Sequence, residues 1–183
     1  MKKEAGAKNF LYPMPTVLVG TMVNNKPNYI TMAHVGIMGL NYISLSMNKI
    51  HYTNKGIKEN GTFSVNIPSI DLVKETDYCG MVSGKKVDKS KLFKAFFGKL
   101  ETAPMIEECP INMECKLSKT IDFPNNDIFI GEIVATYYND NILTNGIVDL
   151  NKVQPILFVI HEYTYWKVGE KFAKAKEMGK NLC

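Results

Sequence analysis

The sequence contains no arginine; all 22 of its basic residues are lysines. A chain without guanidinium groups cannot clamp a phosphate or carboxylate in a two-pronged fork. Any anion it holds must be met by lysine ammonium groups, backbone N–H groups and hydroxyls. No apolar run approaches the ~20 residues that a membrane span requires. Residues 1–10 carry lysines but no apolar stretch of the kind a secretory signal needs. These absences lead to the expectation of a soluble cytoplasmic protein. The pattern GxGxxG is missing, and so is GxxxxGK followed by Ser or Thr, which argues against a Rossmann unit and a P-loop. There is no HExxH, and His34, His51 and His161 are scattered, so no metal site is expected. Cys79, Cys109, Cys115 and Cys183 match no CxxC pattern and are expected to be free, mostly buried thiols. A net charge of +4, from 22 basic and 18 acidic residues, is too mild for a nucleic-acid binder.

What the chain does have is strand signal. With 183 residues and 45% hydrophobic content it fits one domain with a sizeable core, taken as residues 1–183 with the core at about 12–169. Residues 16–22 (TVLVGTM) are apolar and β-branched, 24–27 (NNKP) read as a turn, and 28–33 (NYITMA) complete a hairpin. Residues 42–47 (YISLSM) alternate apolar and small polar side chains, as a half-buried strand does. A short helix is expected at 53–60, with Thr53 as its N-cap and Asn60-Gly61 as its stop. A strand follows at 62–67, then a helix at 69–79 opened by Ser69 or Asp71. The lysine- and glycine-rich loop 83–89 leads to a short helix at 91–97. Two long strands at 112–121 and 127–138 are joined by a turn at 124–126. A weak element at 146–150, strands at 156–160 and 163–168 and an amphipathic tail helix at 171–180 complete the pattern. Many strands with short helices between them predict a mainly β barrel with helical insertions, not a doubly wound sheet.

Within this frame one segment has the makings of an anion site. After the strand ending at Met47 come Asn48, Lys49, His51 and Tyr52, and a hydroxyl opens the next helix at Thr53. The helix N-terminus offers unpaired N–H groups, Lys49 a full charge, Ser46 and Thr53 hydroxyls. The strand Asn28-Tyr29-Ile30-Thr31-Met32-Ala33 places Thr31 beside a small residue, where a flat ring can lie against backbone groups. Ser83, Gly84, Lys85 and Lys89 lie in a loop that either reaches an anion or is solvated surface. Tyr163, Tyr165 and Trp166 either stack on a ring or fill the core, and aromatic residues in strands are more often core.

The order of these segments resembles the flavin reductase-like family of FMN-binding split barrels, flavoredoxin group. The resemblance rests on YPMPTVLVGT, KPNYITMA, SLSMNKIHYTNKGIKENGTFSVNIP, TDYCGMVSGKKVDKSKLF, APMIEECPINMEC and IFIGEIV, in that order, and covers the chain from Tyr12 to about Gly169. It implies a split β-barrel that forms a homodimer and carries FMN. It implies ring contacts from Asn28, Thr31, Met32 and Ala33, and phosphate contacts from Ser46, Met47, Asn48, Lys49, Tyr52 and Thr53. It further implies a closing loop that contributes Ser83, Gly84, Lys85 and Lys89. The flavin would carry the redox chemistry, with NADH or NADPH, or a redox protein partner, as the electron source. The family pattern has tryptophan where this chain has His34, and arginine near the place of His51. A histidine at that place predicts ligand affinity that falls from pH 6 to 8.

Overall fold

A computed structural model describes residues 1–180 of the chain. The elements run β1 (Met14–Pro15), β2 (Val17–Val23), β3 (Lys26–Met32), β4 (Val35–Ile37), β5 (Tyr42–Asn48), α1 (Thr53–Asn60) and β6 (Thr62–Ile67). A 3-10 turn at Ile70–Leu72 leads into α2 (Val73–Met81), then β7 (Ala95–Phe96), β8 (Met105–Ile106), β9 (Ile111–Asp122) and β10 (Asn126–Tyr138). The remainder holds β11 (Leu143–Thr144), β12 (Ile147–Val148), α3 (Leu150–Val153), β13 (Leu157–Val159) and β14 (Thr164–Trp166). No helix is long and apolar enough to cross a membrane among the described residues.

Seven strands form one antiparallel sheet in the order β3-β2-β6-β9-β10-β5-β4. Ile30 and Met32 of β3 and Ile43, Leu45 and Met47 of β5 share one buried cluster with Val19, Phe63, Val65 and Phe129. β3 and β5 stand five strands apart in the sheet, roughly 24 Å if it were flat. Their contact in a single core therefore requires the sheet to curl. The curl leaves an opening between its two edges, which makes the fold a split β-barrel, mainly β, with short helices as insertions. A second cluster on the outer face of β2 and β3 joins Leu18 and Tyr29 to Cys79 of α2, Phe93, Ile106 and Cys109. β3 is thus covered on both faces. A small sheet, β1-β13-β14, stands apart from the seven strands.

Local chemistry explains the main joints. Asn24 and Asn25 both have positive φ, 50° and 60°, so β2 and β3 meet in a two-residue hairpin of the kind asparagine tolerates. Gly61 ends α1 in the left-handed conformation, φ 65°. Gly56, inside α1, sits so close to β2 that an added Cβ would stand 2.4 Å from the Met22 carbonyl oxygen. Three cysteines are free and buried. Burial pushes the Cys79 thiol up to about 11 and Cys115 to about 12, and Cys109 higher still.

Several expectations need correction. Residues 91–97 form no helix; Ala95 and Phe96 pair with Ile106 and Met105 instead. Residues 171–180 show turns but no helix. The segment at 69–79 starts as a 3-10 turn and becomes α-helical only at Val73, and neither Ser69 nor Asp71 caps that helix. The N-cap of α1 is Tyr52, and Thr53 is its first helical residue. Tyr163 is 83% exposed and Trp166 56%, so neither is core. Cys183 lies outside the described residues.

Candidate functional site

A cavity of about 600 Å³ opens at the split in the barrel. Thr31, Met32, Ala33 and His34, at the end of β3, form one side, and Ser46, Asn48 and His51 another. β5 supplies Ser46 and Asn48 because alternation turns Leu45 and Met47 into the core and its serines the other way. The Ser46 hydroxyl accepts from Asn126 Nδ2 at 2.9 Å, which leaves its own proton to donate. The facing wall comes from α2, through Asp77, Gly80 and Met81, and from the small sheet, through Phe158, Tyr163 and Tyr165. α2 is held against β3 by the Thr31 hydroxyl, which donates to the Thr76 carbonyl. Gly80 faces Thr31, and a Cβ there would lie at ordinary contact distance, 3.4 Å from Thr31 Cβ. Tyr165 Oη donates to Asp77 Oδ1 at 2.9 Å across the mouth.

A second cavity of about 280 Å³ adjoins the same strand nearer its start. Asn28, Tyr52, Gly84, Lys85, Lys86 and Lys89 line it. β3 runs from Asn28 at this cavity to Thr31 at the larger one, and the chain steps from His51 to Tyr52 between the same two places. The two cavities share no lining residue but adjoin along this strand and this step, and they are taken together as one groove, apolar and aromatic at one end and rich in lysine at the other. Lys89 is 3% exposed. Its ammonium donates to the carbonyls of Tyr29 and Cys79, each at 2.9 Å. It makes no ion pair with a carboxylate among the described residues, and burial lowers its pKa. Gly84 presses on the site; a Cβ there would fall 2.1 Å from Asn28 Oδ1 and 2.7 Å from Tyr52 Cδ1. Asn28 in turn donates to the Thr53 hydroxyl at 2.8 Å, so Thr53 keeps a proton to donate.

The turn between β5 and α1 is fixed from below. Asn54 Nδ2 donates to the Asn48 carbonyl at 3.1 Å and to Asp127 Oδ2 at 3.2 Å, and Lys58 pairs with Asp127 at 2.8 Å. The backbone N–H groups of Tyr52 and Thr53 have no acceptor among the described residues, while those of Asn54 and Lys55 are bonded to the His51 and Tyr52 carbonyls. Two amides and a hydroxyl at a helix start form an anion-binding arrangement.

Not every expected residue reaches the groove; Thr53, 2% exposed, lines neither cavity and touches the smaller one only through Asn28. Met47 is wholly buried in the core, so only its backbone is near. Lys49 pairs with Asp122 at 2.5 Å and lines neither cavity. The Ser83 hydroxyl accepts from the Lys85 amide at 3.3 Å and also lines neither. Asp77, Gly80, Met81 and Phe158 went unforeseen, and nothing local in the sequence marks them.

Burial, with the charge of Lys89, lowers His51 from its usual 6.5. His51 is therefore neutral at pH 7 in the free protein. An anion bound beside it would raise its pKa, so the complex takes up a proton between the lowered free value and the raised bound value. Within that window the affinity falls as pH rises, and above it the affinity is flat. The slope thus begins lower than the sequence implies, below pH 6.5. Anion-ligand titrations from pH 5 to 8 should show this slope in the native chain and a shallower one in His51→Gln. Equal slopes would exclude a direct His51 contact.

The chain matches the family model described as the flavin reductase-like domain over residues 9–167. It shares 44% identity and a TM-score of 0.96 with a flavoredoxin from Methanosarcina acetivorans, over the full length of both chains. It shares 37% identity and a TM-score of 0.91 with the flavoredoxin of Desulfovibrio vulgaris (Miyazaki F), over 98% of this chain and 100% of that one. An uncharacterized protein of Archaeoglobus fulgidus is 31% identical over 156 residues, which cover 83% of this chain and 85% of that protein. A split barrel matched by the family model over residues 9–167, the chain belongs to the flavin reductase-like family.

Proposed function

We propose that the groove binds FMN and that the protein is an FMN-dependent oxidoreductase. The observation that carries this reading is Lys89, a buried ammonium without a carboxylate partner, at the polar end of a groove whose other end is apolar and aromatic. A buried, uncompensated cation is costly unless an anion completes it. The residues fit the flavin. The larger cavity suits the ring, with Thr31, Met32, Ala33, Ser46 and Asn48 beside it. Asn28, Tyr52, Gly84, Lys85 and Lys89 line the place for the phosphate, and Thr53 stands behind Asn28 at the start of α1. Bound there, the flavin supplies two-electron redox chemistry, and the protein fixes its position and potential. The chain's own part is to neutralise the phosphate, to orient the ring along β3 and to exclude water beneath α2.

Exposed Ile37, Met38 and Leu40 at the edge of the sheet support association of two copies. The 44% identity with a flavoredoxin supports a second reading, a carrier that holds FMN but takes electrons from another protein. Anaerobic addition of NADH or NADPH to the yellow protein separates the two. Rapid bleaching supports the reductase, and bleaching by dithionite alone supports the carrier. A protein that takes up no FMN would sink both.

Thr53→Val should weaken FMN binding about tenfold, the value of one hydrogen bond to a charged group. Lys49→Ala should change it little, because that lysine is paired on the surface with Asp122. Fluorescence titration of the two variants reads both effects. Equal losses would move the phosphate toward Lys49.

A further inference from the structure

We propose that Asp77 is a catalytic residue, which stabilises the positive charge that develops on a dihydronicotinamide-type donor as its hydride leaves for the flavin. The inference rests on the FMN reading and extends it to a second ligand in the same groove.

Asp77 is the one carboxylate that lines the larger cavity. It stands on α2, across from β3, and shares its wall with Phe158 and Tyr163 of the small sheet. Its Oδ1 is held by Tyr165 Oη at 2.9 Å, while Oδ2 has no partner among the described residues. Burial and the carboxylate together push the Tyr165 phenol up to about 12, so it stays protonated and keeps the carboxylate oriented at any physiological pH. Tyr163, 83% exposed in the turn between β13 and β14, presents an open aromatic face. The groove is thus polarised. At the phosphate end four lysines outnumber one carboxylate, Asp88, which is paired with Lys26 at 2.8 Å, and at the ring end Asp77 stands beside aromatic faces with no lysine.

This arrangement suits a planar ring that becomes cationic. In hydride transfer the donor's C–H bond breaks and both electrons pass with the hydrogen to the flavin. The donor is left as a pyridinium cation, and the hydride with its electron pair goes to the flavin. A fixed carboxylate near the pyridinium acts more strongly on the transition state than on the neutral donor, which is the condition for catalysis.

The test uses the FMN-loaded protein and compares Asp77→Asn with Tyr165→Phe. Asparagine still accepts the Tyr165 hydrogen bond but has no charge. Three quantities are read: the FMN dissociation constant, the anaerobic rate of flavin bleaching by NADH, and the binding of N-methylnicotinamide cation, which carries the charge but has no hydride to give. Asp77→Asn should leave FMN binding unchanged, slow bleaching about tenfold and weaken the cationic probe by a similar factor. Tyr165→Phe should do less to both. A native bleaching rate or native probe affinity in Asp77→Asn overturns the proposal. So does an equal loss of FMN affinity, which would show that Asp77 acts only by supporting the FMN site. If the native chain binds FMN but neither NADH nor the probe acts on it, this proposal fails while the FMN reading stands. If it binds no FMN, the FMN reading itself has failed.

Discussion

Gly56→Val is expected to lower stability by about 3 kcal/mol and to reduce FMN binding with it. Helix propensity alone predicts a small gain, since glycine inside a helix costs up to about 1 kcal/mol relative to other residues. Packing reverses the sign. A Cβ at Gly56 would meet the Met22 carbonyl oxygen at 2.4 Å, Thr21 Cγ2 at 2.6 Å and Val23 Cγ2 at 2.8 Å. The first of these is backbone and cannot rotate away, so α1 must lift from β2. Its lifting carries Tyr52 and Thr53 out of place and separates Thr53 from Asn28. For a chain of this length 3 kcal/mol corresponds to roughly 10 °C in Tm. Thermal unfolding followed by circular dichroism, with and without FMN, reads both parts. An unchanged Tm would mean that α1 does not depend on its contact with β2.

Lys89→Met should have the opposite profile, with little effect on stability and a large one on the ligand. Methionine keeps most of the length of the stem and removes a buried charge. The lost hydrogen bonds to the Tyr29 and Cys79 carbonyls are offset by relief from burying the ammonium, so stability should stay within about 1 kcal/mol. FMN affinity should fall roughly 30- to 100-fold, because the phosphate loses its buried cation. The ligand-free variant offers a second measurement. The charge of Lys89 helps to hold His51 below its usual value, so the His51 titration followed by NMR should move up in Lys89→Met. Native FMN affinity in this variant would place the phosphate elsewhere.

The strands were largely legible because they carry their own signal. β5 reads as alternation and buries its residues as alternation, and β6 and the long pair β9 and β10 fall within a residue of expectation. The helices expected at 91–97 and 171–180 were not found, for different reasons. The first segment contains Phe93, which the second core draws in, and a short strand pairing with β8 that only the tertiary fold reveals. The second has helix-forming residues but remains largely exposed, and a short helix without packing is marginal in water. The groove was half legible. Asn28, Thr31 and the segment from Ser46 to Thr53 lie close together in the chain and flank one opening. Asp77 and Tyr165 are 88 residues apart and meet only through the placing of α2 and the small sheet. Lys89 reads in the sequence only as part of a loop that either reaches an anion or is solvated surface, because burial of a lysine leaves no mark on the local pattern.

The three buried thiols bear on how long such a protein lasts in use. A reduced flavin that meets dioxygen yields peroxide beside the protein that holds it. Peroxide attacks thiolates, and the thiolate fraction at pH 7 for a group such as Cys79, raised to about 11, is on the order of one in ten thousand. Cys115 and Cys109 ionise less still. The barrel therefore keeps these three sulfhydryls out of reach of the oxidant that a bound flavin would generate. The Met81 thioether, exposed at the cavity wall, stands nearest that oxidant's source among the exposed methionines that line the cavity, and its oxidation is of a form that cells can reverse.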